Sequence, residues 1–488
     1  MTEITPVTRR RVGPVVLLAA VLVAALIGDH VLARGVKAAA AAVPVPTASL
    51  APPGALSSTW YCPALGATSA SPMRGRIIIA DAGGSDLHVT TTFVPSAGPP
   101  VTKAAVVAAY TRTTYKLEEQ APSAFTATTV TIDGAGGAVE QAIQGPTGQS
   151  ISPCATASSD RWYFASGRTD TGATMLLSLD NPFPADAIVD LQFATDQGPT
   201  TPDAYQGLVV PAGTQMVVNV GERVRLRTAI ASTVMARSGR LIVDKLQMQQ
   251  GQGTRTAQGS TPFAGLSVTL GDTAPGPVWY FADGVKAPGV TEHFDFLNPG
   301  DTEAQVRLAA ILEQGGAEPF TVTVPPRDRV SLQVDQEARI PASIGQAWVA
   351  TSANGVPFVV ERIYEELPPA PRLGVTDSMG ASQLAKRWVF PAGSASDGSD
   401  EYLIVANPGG GPARVTLTAS GTGQPIRLAG YAPVVIAPGD RQAIRIGDVL
   451  RAGIVVLDVT SDVPIVAERS QANVSQPGVS GSIGIPSR

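Results

Sequence analysis

The sequence predicts an all-β chain of tandem immunoglobulin-like β-sandwich domains, set behind an N-terminal transmembrane helix and an Ala/Pro-rich stalk. Three observations lead there. Trp60, Trp162, Trp279 and Trp388 recur at intervals of roughly 100 to 117 residues. Three of them open one phrase, Trp-Tyr-Phe-Ala at 162–165 and 279–282 and Trp-Val-Phe-Pro at 388–391, with Gly167, Gly284 and Gly393 close behind. An Asn-Pro pair begins at Asn181, Asn298 and Asn407, each nineteen positions after its Trp. A fixed offset kept three times across loops that change completely marks a duplicated unit, and the unit is longer than the roughly 20 to 50 residues of solenoid repeats. Composition points the same way. With 50 Gly, 41 Pro and 15% charged residues, the chain suits short strands and many turns rather than long helices.

The elements follow in order. Residues 1–11 form a basic cytoplasmic tail ending in Arg9, Arg10 and Arg11, and 12–33 an apolar signal anchor, since positive charge ahead of such a run stays on the cytoplasmic side. A cleaved signal peptide is the alternative, although the small residues at 38–42 lie more than ten positions beyond Ile27. Residues 34–58 read as an unfolded stalk. Four sandwiches then occupy 59–157, 158–260, 261–380 and 381–473, and 474–488 reads as a flexible tail.

Within the second unit, alternating or β-branched runs at 161–165, 174–180, 187–195, 207–211, 214–220, 232–237 and 240–248 give seven strands, the count of an immunoglobulin-like sandwich. Helical periodicity is confined to 104–110. The Asn-Pro pair ends a strand, because Pro cannot donate to a ladder and the Asn side chain can bond nearby backbone. The next strand alternates, as in Ala304, Val306, Leu308 and in Ala413, Val415, Leu417; the first unit keeps Leu87, Val89, Thr91 and Phe93 after a degenerate Asp81-Ala82. Gly136-Gly137, Ser238-Gly239, Asn354-Gly355 and Ser461-Asp462 each precede an apolar run and read as hairpin turns. Those runs carry Glu140-Gln141, Asp244-Lys245, Glu361-Arg362 and Glu468-Arg469. Neighbours on a strand face opposite sides, so one of each pair leans toward the core edge or a seam between domains.

Cys62 and Cys154, the only cysteines, bracket the first unit. In an exported protein they form a disulfide, contributing about 3 to 5 kcal/mol by closing a loop of about ninety residues. The inventory for catalysis is poor: His30, His88 and His293 are the only histidines, and no nucleophile elbow, phosphate loop or zinc motif occurs. The reading is therefore non-enzymatic, without cofactor or metal. Asp397, Asp400 and Glu401 could hold calcium in a loop, but without an echo in the sister units they read as solvated. The repeated Trp residues read as sandwich core rather than a sugar-stacking platform. A net charge of −5 with no basic cluster beyond the N-terminus leaves no footprint for nucleic acid.

The Arg-flanked anchor, the Cys62/Cys154 unit, the Trp-Tyr-Phe-Ala-x-Gly phrases and the Asn-Pro turns together resemble a family of exported actinobacterial proteins of unknown function. The resemblance implies a membrane-tethered or secreted envelope protein and carries no functional residues. The expected function is a rod of four domains acting as a scaffold or interaction module outside the cytoplasm. A module binding cell-wall glycan or glycolipid and an accessory subunit of an envelope enzyme complex are the alternatives. Partners would be the membrane, through the N-terminal helix, and an envelope protein or wall polysaccharide.

Overall fold

The computed structural model describes residues 44–68, 73–252, 262–313, 316–428, 433–474 and 477–487. The expected anchor at 12–33 lies outside them. Among the described residues no helix is long and apolar enough to cross a membrane. Residues Val43–Arg488 form one compact unit, and it is nearly all β.

The second repeat shows the plan. One sheet runs Thr214–Asn219, Ala173–Asn181, Ile242–Gln252, Pro262–Leu270; the other pairs Ala187–Thr195 with Ile230–Ser238 and that with Arg161–Phe164. A single core that includes Trp162, Phe164, Leu177, Val189, Val234 and Val243 lies between them. The third repeat repeats both strand orders. Alternating burial follows the sequence pattern, with Leu87, Val89, Thr91 and Phe93 buried in the first repeat and Ala413, Val415 and Leu417 in the fourth, because successive strand residues face opposite sides. In the first repeat Ser57–Ala67 bridges the two halves into one sheet, and in the fourth Ala452–Asn473 does so.

Several expectations are corrected. The turns before the acid-base pairs do reverse the chain with positive φ at Gly136, Gly239 and Gly355, yet they are not hairpins. Ile230–Ser238 and Ile242–Gln252 belong to different sheets, as do Gln346–Ser352 and Val359–Glu366. Between Ser461 and Asp462 one strand continues without a turn. A turn signal fixes the local backbone only. The strand that follows is buried on both faces, Ile242, Val243, Asp244 and Lys245 all being inaccessible, so it crosses the core to the second sheet. Residues 104–110 are not helical, since Val101–Val107 pairs with Leu87–Pro95. The second half of the presumed stalk is ordered: Thr47, Ala48, Ser49 and Leu50 are buried, and Leu50 donates to the Pro486 carbonyl at 2.8 Å. The presumed flexible tail contains Val479–Ile483, a buried strand paired with Ala452–Asn473.

That last strand completes a feature that no single repeat shows. Gly148–Pro153, Pro262–Leu270, Gly374–Met379 and Val479–Ile483 each pair with the closing strand of a repeat, and each also packs beside the next of the four, the fourth beside the first. The repeats therefore close into a ring around these axial strands instead of extending as a rod. Ser and Thr hydroxyls join them. Ser150 Oγ accepts from Val268 N at 3.0 Å, Thr269 Oγ1 donates to the Asp377 carbonyl at 3.0 Å, Thr376 Oγ1 accepts from Gly481 N at 2.7 Å, and Ser480 Oγ accepts from Ile151 N at 2.8 Å. Each bond runs from one repeat to the next, and the last returns to the first. Small hydroxyl residues let four strands approach closely while satisfying backbone groups that apolar residues would strand.

Candidate functional site

The repeated Trp residues lie in the core. Trp60, Trp162, Trp279 and Trp388 are buried, and so is Trp348. The indole Nε1 of Trp162, Trp279 and Trp388 donates to the carbonyl of Leu241, Phe358 and Ile465 at 3.1, 2.9 and 3.0 Å, tying the phrase strand to the start of the closing strand. Trp60 Nε1 has no partner among the described residues. Asn181, Asn298 and Asn407 are buried too. Their Nδ2 groups donate at equivalent places, to Ala185 and Val210, Thr302 and Val324, and Gly411 and Ile436, at 2.8 to 3.0 Å, with longer contacts from Asn181 to Pro211 and from Asn407 to Ala437. Asp81 in the first repeat can only accept, and takes Gly83 N, Gly84 N and Tyr110 N instead.

The acid-base pairs were expected to leave one member near solvent, but both members are buried in every repeat. The pleat sends the acid of each repeat to the preceding repeat and the base to the following one. Lys245 pairs with Glu361, Arg362 with Glu468 at 2.5 Å, and Arg469 with Glu140 at 3.0 Å. Gln141 stands where a base would and donates to Asp244. The pairs thus run through all four repeats and close. Backbone amides complete the acids: Ala165 N donates to Glu361 at 2.8 Å, Ala282 N to Glu468 at 2.9 Å and Ala392 N to Glu140 at 2.7 Å. At the first joint Asp244 Oδ1 is without a partner among the described residues.

Electrostatics follow from that inventory. Burial pushes the Asp244 carboxyl well above its usual range, with Asp180 adding to the rise against the Gln141 hydrogen bond; a carboxyl without a cation is most stable neutral there. Lys245 would be lowered by burial, but Asp377 and Glu361 together hold it above its ordinary value. Burial and Asp377 push Glu361 up in turn. One cation thus faces two acids, Glu361 and Asp377.

Each base also lies over the Phe of its own phrase. Lys245, Arg362 and Arg469 sit 5.6 Å from the ring centres of Phe164, Phe281 and Phe390. Opposite each ring is a glycine with no room for a side chain: a Cβ on Gly271, Gly380 or Gly484 would lie 2.6, 2.7 or 2.6 Å from the ring. In the first repeat Cys62 takes the Phe position and Cys154 the Gly position, and they are joined as a disulfide. The disulfide thus replaces a ring-on-glycine contact, and the base above it is replaced by Gln141.

Asp397, Asp400 and Glu401 do not converge. Asp397 pairs with Arg451, Asp400 with Arg445 at 2.7 Å, and Glu401 turns inward to accept Ser394 N at 2.6 Å. No cluster of three or more metal-ligating side chains occurs among the described residues. His293 lies 3.9 Å from Asp295 in a cleft between the second and third repeats.

The ring offers two kinds of concavity. At one end of the axial strands a depression of about 100 Å³ is lined by Ser152, Thr269, Ser378 and Ser482, one from each repeat, with Pro46–Ala48 at its edge. Clefts also open at the joints between repeats. Sequence reasoning missed the axial strands, although their signal is present: Gly-x-Ser/Thr-x-Ser/Thr-x-Gly/Cys recurs at 148–154, 265–271, 374–380 and 478–484.

Comparison with known proteins places residues 146–271 within the pattern of a family of unknown function (DUF5719). That stretch runs from the first axial strand to the end of the second. No curated protein matches. Among solved structures, the Thermotoga maritima protein 1070 is similar at 21% identity over 22% of this chain and 94% of its own, with a TM-score of 0.20. The Anabaena sensory rhodopsin transducer is similar at 26% identity over 18% of this chain and 88% of its own, with a TM-score of 0.16. A tetra-tandem repeat from the extending region of a large adhesion protein overlaps 84% of this chain at 14% identity and a TM-score of 0.11. These likenesses are too slight to carry fold or function across.

Proposed function

We propose that the chain is a non-enzymatic interaction scaffold in which four immunoglobulin-like sandwiches form a closed ring, held outside the cytoplasm by the apolar segment at 12–33. The observation that carries this reading is the closed series of buried pairs from Gln141–Asp244 to Arg469–Glu140. The recurring buried acids and bases at 140, 244–245, 361–362 and 468–469 are engaged in joining repeats, which suits a rigid platform and leaves concave surfaces as the working parts. The disulfide supports an oxidising location. Burial of every Trp removes the stacking platform on which a glycan-binding reading first rested.

The test is recovery of the tagged full chain from crosslinked cell-envelope extract, with a parallel sample treated with glycan-degrading enzymes. A defined protein partner that survives digestion supports the scaffold. Recovery that depends on polysaccharide would replace it with a glycan-binding module, and fractionation with cytoplasmic proteins would overturn the location.

A further inference from the structure

The cleft where the fourth repeat meets the first differs in charge from its counterpart between the second and third. On one face of the first repeat's sheet, Arg74 and Arg76 alternate along Arg74–Asp81, Gln144 lies directly across from Arg74, and Arg112 stands on the neighbouring Arg112–Lys116. With Gln149 and Ser394 they line a cleft of about 260 Å³. None of its described lining residues is a carboxylate. The cleft between the second and third repeats sets Arg168 and His293 against Asp295, Glu365 and Asp377, so its charges are answered internally.

The acids nearest the arginine cleft are already engaged. Glu140 is held by Arg469 through both oxygens, at 3.0 and 3.2 Å. Glu401 is buried behind Ser394, and burial raises its carboxyl to about 7, opposed by Arg469. Arg112 is fixed by donation to the carbonyls of Pro391, Gly393 and Val455 at 3.0, 2.8 and 3.3 Å. Arg76 makes one long contact, 3.4 Å to Gln144, and Arg74 is exposed. On a chain of net charge −5, a concave surface on which Arg74 and Arg76 have no carboxylate partner among the described residues is a local reversal of sign. Guanidinium forks match the planar, two-oxygen edge of carboxylates and phosphates, while amides and a hydroxyl beside them suit a hydroxylated body.

We propose that this cleft binds a small ligand carrying a phosphate or carboxylate on a hydroxylated body, of the chemical class of sugar phosphates and sugar acids. Arg74 and Arg76 grip the oxyanion over the floor set by Arg112, and Gln144, Gln149 and Ser394 meet the hydroxyls. The site goes beyond the scaffold reading and stands whether or not the ring acts in the envelope.

The experiment is calorimetric titration of the purified full chain with glucose 6-phosphate, glucuronate, inorganic phosphate and glucose. Saturable binding of glucose 6-phosphate or glucuronate is expected, weakening as salt rises from about 50 to 300 mM, with glucose inert. Arg74→Gln together with Arg76→Gln should reduce affinity by about tenfold or more with the thermal midpoint kept, since neither side chain belongs to the core; the single Arg74→Gln variant, at an exposed position, serves if the double variant folds poorly. Preference for the phosphate or for the carboxylate identifies the oxyanion. No binding of either anionic ligand, or binding untouched by the arginine substitutions, overturns the proposal. Inorganic phosphate binding as tightly as glucose 6-phosphate overturns the part given to the hydroxylated body.

Discussion

At the scale of single residues, the glycine opposite each phrase Phe leaves no room for a side chain. Gly271→Ala would put a methyl group 2.6 Å from the Phe164 ring, a contact that backbone and ring must move to relieve. Overpacking of this kind costs about 1 to 3 kcal/mol, and urea unfolding should show a midpoint lowered to match, whereas Gly213→Ala, with open space around it, tests only backbone conformation. Lys245 is a second such position. Removing it as Lys245→Met leaves Glu361 and Asp377 buried without their cation and should cost about 3 to 5 kcal/mol. Adding Glu361→Leu to that variant should recover part of the loss, and a double-mutant cycle that showed simple additivity would contradict the pairing. The sequence made the pairs visible as recurring neighbours at 244–245, 361–362 and 468–469, and the pleat argument sent one member of each toward the core edge or a seam between domains. It could not show that the outward face meets another repeat, because a strand pattern records burial and not what does the burying.

Among elements, the first repeat is instructive because its departures compensate one another. Cys62 and Cys154 replace Phe and Gly, and Gln141 replaces a base. Breaking the disulfide with Cys62→Ala and Cys154→Ala should destabilise by about 3 to 5 kcal/mol. The combination Cys62→Phe with Cys154→Gly rebuilds the contact of the sister repeats, and its thermal midpoint should lie above that of the alanine pair; a midpoint at or below it would show that the positions are not equivalent. Strand positions in the second repeat were legible to within a few residues, because alternation and Asn-Pro turns are local signals. The arches between sheets were not, since the same Ser-Gly or Asn-Gly dipeptide serves a hairpin or a crossing and only the partner strand decides. Nor were the axial strands: their Ser, Thr and Gly residues resemble linker composition, as at Val479–Ile483, and become core only when four of them meet.

For the whole molecule, the buried carboxyls set the response to pH. Burial raises Asp272 and Glu401 to about 7 and Asp180 and Glu292 to about 8, against about 4 in an unfolded chain. Between those values the folded state keeps protons that the unfolded state has released, so stability falls as pH rises and levels off above about 8. Thermal midpoints measured from pH 5 to 8.5 should decline across that window, and a flat or rising profile would show these groups ionised in the folded state. Two features of the ring combine in a further way. The joint between the fourth repeat and the first uses the same arginine-to-glutamate contact as the third uses with the fourth, and Leu50 lies bridged beside Ser487. The order in which the ribosome delivers the repeats is then a matter of connectivity rather than of packing. A circular permutant opened at 253–261, with 487 rejoined to 44 through a flexible linker long enough to span the two ends, is expected to keep those joints, and its failure to fold would show that the order of the repeats matters.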